Sequence, residues 1–213
     1  MENNAQQKRL FGRLIITLIA GLFIFANSAP SVAKSPKLKT VSISTSNSLP
    51  KVRPRFKIPN DPNQVMYLQR SMNANTIVYA VQYLDDGKID PRNPVRVYWR
   101  RFNSGGEARA LKYFERQVAF GVTVRKGAQP GSYSIEFKAL KGRKITLRET
   151  GPYQVELIGK IGSHQVNPIY IYVDLDESGL IPKVIGLRFF GRDIDTGKYI
   201  TEVISVSGGE IRQ

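Results

Sequence analysis

Hydrophobic and polar side chains alternate with a period of two along several segments of the chain. In 95–100, two valines and Trp99 take the odd positions, whereas two arginines and a tyrosine take the even ones. Segments 133–139 and 153–157 alternate in the same way. Because successive side chains of a strand point to opposite faces of a sheet, this pattern predicts half-buried β-strands, with Trp99 in the core. The stretch 77–84 is apolar at nearly every position, which is typical of a central strand.

Short polar segments that contain glycine separate the predicted strands, and their composition indicates turns. Connections this short favour antiparallel hairpins over parallel strands joined by a crossover. The predicted turns are 85–88, 141–143, 150–152, 177–179 and 195–198.

One segment departs from the strand pattern and predicts a helix. Ser104 and Glu107 have the spacing of a capping box, and Leu111, Phe114 and Val118 then recur at helical intervals. Because the apolar face of a sheet has to be covered, we predict a mainly β fold, either an antiparallel β-sandwich or a partly closed barrel of about eight strands. The one short α-helix would cover an opening or an edge.

The N terminus has the three parts of a secretory signal peptide. Three basic residues precede an apolar run over 14–26, and the small residues Ser31 and Ala33 follow. A helix of that length rises only about 20 Å, short of the roughly 30 Å hydrocarbon core, which disfavours a permanent anchor. We predict a signal peptide over 1–33, cleavage near Ala33 and a periplasmic or secreted protein. An uncleaved helix in the membrane interface is the alternative.

Residues 34–60 consist mainly of serine, threonine, proline, lysine and arginine. Their few apolar side chains offer too little buried surface to offset the entropy lost on ordering. The composition predicts a basic flexible tether over 34–60, whose deletion leaves folding unchanged, and a single β-rich domain over 61–213.

The charge and the absence of cysteine narrow the function further. The net charge of +15 suggests an anionic partner, but the predicted tether carries seven basic residues and no acidic one. With no cysteine in the chain, disulfides, a thiolate metal site and a lipid-modified cysteine are all excluded.

Four stretches of the predicted domain together resemble a known family. They are SMNANTIVYAVQYLDDGKIDPRNPVRVYW (71–99), LKYFERQVAFGVTV (111–124), VELIGKIGSHQVNPIYIYVD (155–174) and KVIGLRFFGRDIDTGKYITEVI (183–204). Over about residues 65 to 206 the chain resembles domain-of-unknown-function family 4833, a family of exported bacterial proteins. The resemblance implies one folded domain and export, and it implies no particular activity.

Neither nucleophilic catalysis nor metal binding has a complete set of residues. The only histidine, His164, lies in a predicted turn, and a catalytic role would need an orienting carboxylate that the sequence does not locate. Segment 174–179 matches the first six positions of a calcium loop, but Ile185 stands where the twelfth position needs glutamate. We therefore predict neither a metal site nor a cofactor.

Paired carboxylates offer a second route to catalysis, as general acid and base on a glycan. Two of the candidates lie on the outward faces of predicted strands, where acidic side chains are simply solvated, and the sequence does not say which two converge. The candidates are Glu115, Glu136, Glu156 and Glu202.

Cations and an aromatic ring are expected on the outward face of the predicted sheet. Such a set can hold phosphate, carboxylate or sugar by bidentate contacts and stacking, although a solvated sheet face has the same composition. A second group of polar residues lies where one predicted strand passes into the next. These residues either stabilise the turn by hydrogen bonds or form a binding site, since binding residues collect in such loops. The candidate ligand surface comprises Arg96, Tyr98, Arg100, Lys138, Lys144 and Arg148, and the second group comprises Arg70, Asn73 and Asn75.

These observations leave three classes of function open. The leading hypothesis is a non-enzymatic envelope module that binds an anionic or amphipathic ligand, such as an anionic lipid or a glycan, on its sheet face or in a barrel mouth. The alternatives are a carboxylate-dependent hydrolase acting on an envelope glycan and a structural subunit that pairs through a sheet edge. Export argues against nucleic acid as the partner, and no stable transmembrane anchor is expected after processing.

Overall fold

The computed structural model describes residues 38–180 and 182–206, so the predicted signal peptide and its cleavage site lie outside the described residues. Two short helical turns interrupt the strands, a 3-10 turn at Phe102–Ser104 and a π turn at Glu115–Ala119. The twelve strands are β1 (Leu38–Ser46), β2 (Gln64–Arg70), β3 (Asn73–Val81), β4 (Val95–Arg101), β5 (Glu107–Ala110), β6 (Val122–Lys126), β7 (Ser132–Phe137), β8 (Lys144–Gly151), β9 (Gln154–Ile161), β10 (His164–Asp176), β11 (Lys183–Asp193) and β12 (Tyr199–Val206).

Strand β10 is the centre of the sheet. On one side its first part pairs antiparallel with β9, and residues Tyr170 to Val173 pair parallel with β2. On its other side β10 pairs with β11, which is followed by β12 and β1. The strand order β5-β4-β3-β2-β10-β9-β8-β7-β6 therefore consists of two branches, β2 to β5 and β9 to β6, that leave the same side of β10.

The two branches curl toward each other around one core. Tyr79 of β3 and Phe137 of β7 pack edge to face, with ring centroids 5.4 Å apart. Phe189 of β11 and Ile200 of β12 belong to the same apolar cluster. Trp99 is only 3 % exposed, as the alternation of β4 predicts. The protein is thus a mainly β, curled half-barrel whose inward face is the core.

Two details of the predicted sheet are wrong. The pairing of β2 with β10 is parallel, so the sheet is mixed rather than antiparallel, and the described residues form twelve strands where about eight are predicted. Short connections identify antiparallel hairpins, but strands more than 100 residues apart can pair in either direction. The predicted turns at 141–143, 177–179 and 195–198 lie between strands, and 85–88 lies within the connection from β3 to β4. The turn predicted at 150–152 is shifted, because β8 runs to Gly151 and the turn occupies residues 152 and 153.

The predicted α-helix is not confirmed. Ser104 ends a 3-10 turn without side-chain capping, and Glu107 begins β5, where it pairs with Arg101 of β4 at 2.8 Å. A cross-strand ion pair therefore uses the glutamate that a capping box would need. Leu111 is buried but Phe114 is 37 % exposed, and only the π turn follows. Nowhere in 38–180 or 182–206 is a helix both long and apolar enough to cross a membrane.

The prediction of a flexible tether over 34–60 is corrected for its described part. Residues Leu38–Ser46 form β1, which pairs antiparallel with β12 and extends the sheet. Almost every residue of β1 is exposed, so apolar burial is not what orders it. Backbone hydrogen bonds along an edge, helped by β-branched residues, are sufficient for a strand that buries little surface.

Residues 47–60, which we name the strap, run across the outward face of the sheet. Beneath them lies a small aromatic cluster of Tyr67, Tyr170, Tyr172 and Phe190. In this cluster the ring of Tyr170 on β10 stacks with those of Tyr67 on β2 and Phe190 on β11. Leu49 and Val52 of the strap pack against this cluster. The phenol of Tyr170 donates to the carbonyl of Pro50 at 2.5 Å, and Arg53 donates to the phenol oxygen of Tyr172 at 3.0 Å. The strap is therefore part of the folded structure.

Candidate functional site

The outward face of β4 carries the strongest candidate site. Arg96, Tyr98 and Arg100 alternate with core residues and point outward together, as the sequence predicts. The guanidinium carbon of Arg96 lies 4.8 Å from the centroid of the Tyr98 ring, and that of Arg100 lies 6.0 Å away. Both distances are within the range of a cation–π contact. One aromatic ring thus stands between two cations.

Tyr98 is more buried than an outward position implies. It is 6 % exposed, because it packs with Val78 and Ala80 of the neighbouring strand in a small apolar cluster on this face. Burial raises the pKa of the Tyr98 phenol above its ordinary value, against the opposing effect of the Arg96 charge. The Tyr98 ring therefore takes part in packing as well as in the outward surface of β4.

A depression of about 410 Å³ opens beside these three side chains. Small residues, Ala80 and Ala108, form part of its lining and leave room above the sheet. The side chains of Asn63 and Gln82 add hydrogen-bonding groups to its wall. The volume is sufficient for a small polar group or the head of a larger molecule.

The two arginines of this depression differ in how they are engaged. Arg100 pairs with Asp61 through two nitrogens and donates to the carbonyl of Gly106 at 2.9 Å. Arg96 is exposed, and its guanidinium stacks on the ring of Tyr98 but forms no hydrogen bond or ion pair within residues 38–180 and 182–206. Its guanidinium donors therefore remain available to an anionic group.

The other half of the predicted ligand surface lies elsewhere. Lys144 and Arg148 are exposed on β8, which is separated from β4 by β3, β2, β10 and β9, and Lys138 lies in the turn after β7. Arg148 pairs with Glu156 of β9. Because the inward faces of the two branches meet in the core, their outward faces point away from each other. The six residues predicted as one surface thus divide between two sides of the molecule.

The second predicted group, Arg70, Asn73 and Asn75, lies where β2 passes into β3. The side-chain oxygen of Asn73 accepts from the backbone of Asn75 at 3.1 Å and from Arg70 at 3.4 Å. The side-chain oxygen of Asn75 accepts from the backbone of Asn103 at 3.0 Å. The two asparagines stabilise the turn by these hydrogen bonds. Arg70 instead extends inward, and its guanidinium carbon lies 4.8 Å from the centroid of the Trp99 ring.

His164 has a carboxylate partner that sequence reasoning missed. Its Nδ1 lies 2.7 Å from Oδ2 of Asp193, which is 3 % exposed. The backbone and hydroxyl of Thr196 donate to the other carboxylate oxygen at 2.7 and 2.8 Å. Hydrogen bonds from Thr196, followed by the one with His164, hold the pKa of Asp193 to about 2. No local signal reveals this pair, because the two residues come from different strands.

The four carboxylates considered for catalysis are all engaged by donors or cations. Glu115 and Glu202 are buried, and they pair with Arg109 at 3.3 Å and Arg143 at 2.6 Å. Glu136 accepts from the backbone of residue 142 at 2.6 Å and lies 3.6 Å from the guanidinium of residue 125. Glu156 pairs across the sheet with β8. Each acts in the structure as an ion-pair partner.

The partial calcium loop does not bring its acidic groups together around a common centre. Asp174 instead accepts two hydrogen bonds from Arg188 of β11, at 3.0 and 3.3 Å. Across the described part of the chain, no group of three or more metal-ligating side chains converges.

Comparison with known proteins gives one match. A family model described as Domain of unknown function (DUF4833) covers residues 66–203. No curated protein and no solved structure matches the chain. The match begins within β2 and ends within β12, so it includes Arg96, Tyr98 and Arg100, whereas the lining residues 61–63 of the depression precede it.

Proposed function

The chain belongs to the family described as a domain of unknown function, DUF4833, and from its own side chains we propose that it is a non-enzymatic binding module. It is exported, and it binds an anionic or amphipathic molecule of the bacterial cell envelope. The observation that carries this proposal is the depression in which Arg96 faces Tyr98 and has no carboxylate partner among residues 38–180 and 182–206.

The chemistry of the depression suits a ligand with a negative charge and a flat or apolar part. A guanidinium binds phosphate or carboxylate in a bidentate manner, and an adjacent aromatic ring accepts a sugar or hydrocarbon face. Asp61 neutralises Arg100, so Arg96 supplies the uncompensated positive charge of the site. An anionic lipid or an anionic glycan of the envelope has both features.

A second candidate function, a structural subunit that pairs through a sheet edge, is favoured by one observation. Strand β1 pairs on one side with β12, and no described strand covers its other side. Val41 and Ile43 of this strand are 57 % and 42 % exposed. An edge with free backbone groups and apolar side chains can add a strand from a partner chain. The hydrolase alternative has no comparable support, because its carboxylates are held in ion pairs.

The binding proposal is tested by identifying what co-purifies with the mature protein from native envelopes. We expect mass spectrometry to find an anionic molecule with the wild type, at a level that falls at least tenfold with Arg96→Gln. Its presence in the organic or the aqueous extract distinguishes a lipid from a glycan. The matched control is Arg148→Gln, which removes the same charge on the other side of the molecule and should retain the ligand. Equal recovery from all three proteins would reject the proposal.

A further inference from the structure

Arg70 is a buried cation with few partners. It is 5 % exposed and projects from the end of β2 into the half-barrel. Its guanidinium carbon lies 4.8 Å from the ring of Trp99 and 5.8 Å from that of Phe120. Its one hydrogen bond goes to Asn73 at 3.4 Å, and its buried Nε has no partner in the part of the chain that the structure describes. A guanidinium so placed retains donors that only a further acceptor can satisfy.

Glu115 does not supply that acceptor, because its oxygens accept from other donors and no hydrogen bond or ion pair joins it to Arg70 in the described part of the chain. Glu115 accepts from the indole nitrogen of Trp99 at 3.3 Å, from the backbone of Lys112 at 2.8 Å and from Arg109 at 3.3 Å. Arg109, which pairs with Trp99 in the register of β4 and β5, also has a buried Nε without a partner among the described residues. Two guanidinium groups therefore stand near one carboxylate, and of the two only Arg109 pairs with it among the described residues.

The charge around Trp99 is consequently unbalanced by one positive unit. Burial lowers the pKa of Arg70 to about 10, so this side chain remains charged at neutral pH. The other acidic group that acts on Arg70 is Glu177, which is exposed and accepts from the hydroxyl of Ser71 at 3.4 Å. Its charge acts from beyond ion-pair distance. A buried charge that lacks a close counter-ion is unfavourable, and an anion that entered would relieve the imbalance.

We propose that Arg70, with Arg109 as a second donor, forms a binding site for a singly charged oxyanion of the carboxylate class beside Trp99. One negative charge balances the cluster, and the guanidinium edge of Arg70 offers donors that match a carboxylate. The rings of Trp99 and Phe120 favour a carboxylate attached to an apolar group. This site differs from the depression beside Tyr98, because Tyr98 and Trp99 point to opposite faces of β4.

Trp99 is the only tryptophan, so its fluorescence reports directly on this site. The experiment titrates the mature protein with sodium acetate and, at equal ionic strength, with sodium chloride and sodium phosphate. We expect a saturable change in Trp99 emission with acetate and none with chloride. Arg70→Lys keeps the charge but loses the Nε donor, and it should weaken acetate binding at least tenfold. Arg148→Gln, which removes a distant arginine, should leave the titration unchanged.

Three results would overturn the proposal. The first is an acetate titration no different from chloride, the second is an equal response in Arg70→Lys, and the third is a response to phosphate alone. If Arg70→Lys does not fold, the wild type still decides the question through the ¹⁵N-detected Nε–H resonance of Arg70. This resonance should shift with acetate and exchange more slowly with water, and an unchanged resonance would make Arg70 a purely structural residue.

Discussion

At the scale of single residues, Trp99 is the large side chain that β4 contributes to the core. It packs against Phe120 with ring centroids 5.1 Å apart, and its indole donates to Glu115. We predict that Trp99→Ala lowers the free energy of unfolding by roughly 3 to 5 kcal/mol, because a large cavity and unpaired polar groups remain. Urea denaturation measures this loss. The wild-type emission should be blue-shifted, and ready quenching by iodide would show that the ring is exposed.

Tyr98, the neighbour on the opposite face, is predicted to stabilise the protein as well as to contact a ligand. Tyr98→Ala should lower the free energy of unfolding by about 3 kcal/mol, since the ring is 6 % exposed and packs on Val78 and Ala80. Tyr98→Phe is the matched control, and it should stay close to wild type because the packing ring remains. Chemical denaturation of both variants compares them. An unaltered midpoint for Tyr98→Ala would contradict the packing seen here.

The depressed pKa of Asp193 predicts how stability changes in acid. Its value is about 2 in the folded protein and 3.8 in an ordinary aspartate, so the folded state favours the charged form. The resulting stability is fully present above pH about 4 and is lost as the pH falls toward about 2. Urea unfolding from pH 7 to 3 should show that the advantage of wild type over Asp193→Asn shrinks below pH about 4. Asp195→Asn, at an exposed neighbouring position, is the control.

The partly correct prediction of these residues has a physical explanation. Alternation places Trp99 in the core because exposing it would bury two arginines. The same pattern cannot show that Tyr98 is covered, since its cover comes from small residues of β3 and from its own arginine neighbours. The pairing of His164 with Asp193 depends on where β10 and β11 meet, and no spacing along the chain encodes that register.

At the scale of elements, the strap is predicted to contribute more to stability than β1. A chain that starts at Asn47 loses β1, which is almost wholly exposed, and should melt within a few degrees of the mature protein. A chain that starts at Asn60 also loses Leu49 and Val52, which cover the stacked tyrosines. Losing roughly 2 kcal/mol or more of apolar burial lowers the melting temperature by at least about 5 °C. Equal melts of both truncated proteins would show that the strap is dispensable.

The elements that sequence reasoning missed are those defined by distant partners. The strap and β1 have the composition of a disordered segment, and they are ordered by a sheet edge and an aromatic surface that later residues build. The parallel contact between β2 and β10 likewise joins segments more than 100 residues apart. Local patterns identify a strand or a turn, but they carry no information on which strands meet.

At the scale of the whole molecule, the curled sheet separates the basic side chains by face. The inward faces of both branches form one core, so Arg96 and Arg148 lie on surfaces that point away from each other. A large positive charge therefore does not produce one continuous anion-binding surface here. The two sites proposed for this protein therefore rest on local geometry, in which a cation lacks a close carboxylate, and not on net charge.

The proposed export gives a prediction that bears on the first strand of the sheet. Cleavage after Ala33 leaves the four residues 34–37 ahead of Leu38, where β1 begins. We predict that the protein in the periplasmic fraction starts at Lys34, as mass spectrometry of its intact N-terminal peptide will show.

Ala33→Tyr should leave the precursor in the membrane fraction, because signal peptidase requires a small side chain before the scissile bond. Tyr113→Ala, an exposed position of the folded domain, serves as the control and should be processed normally. A mature protein that retains residues 14–26 would show that the apolar segment is an anchor, and binding to the envelope would then need no ligand site.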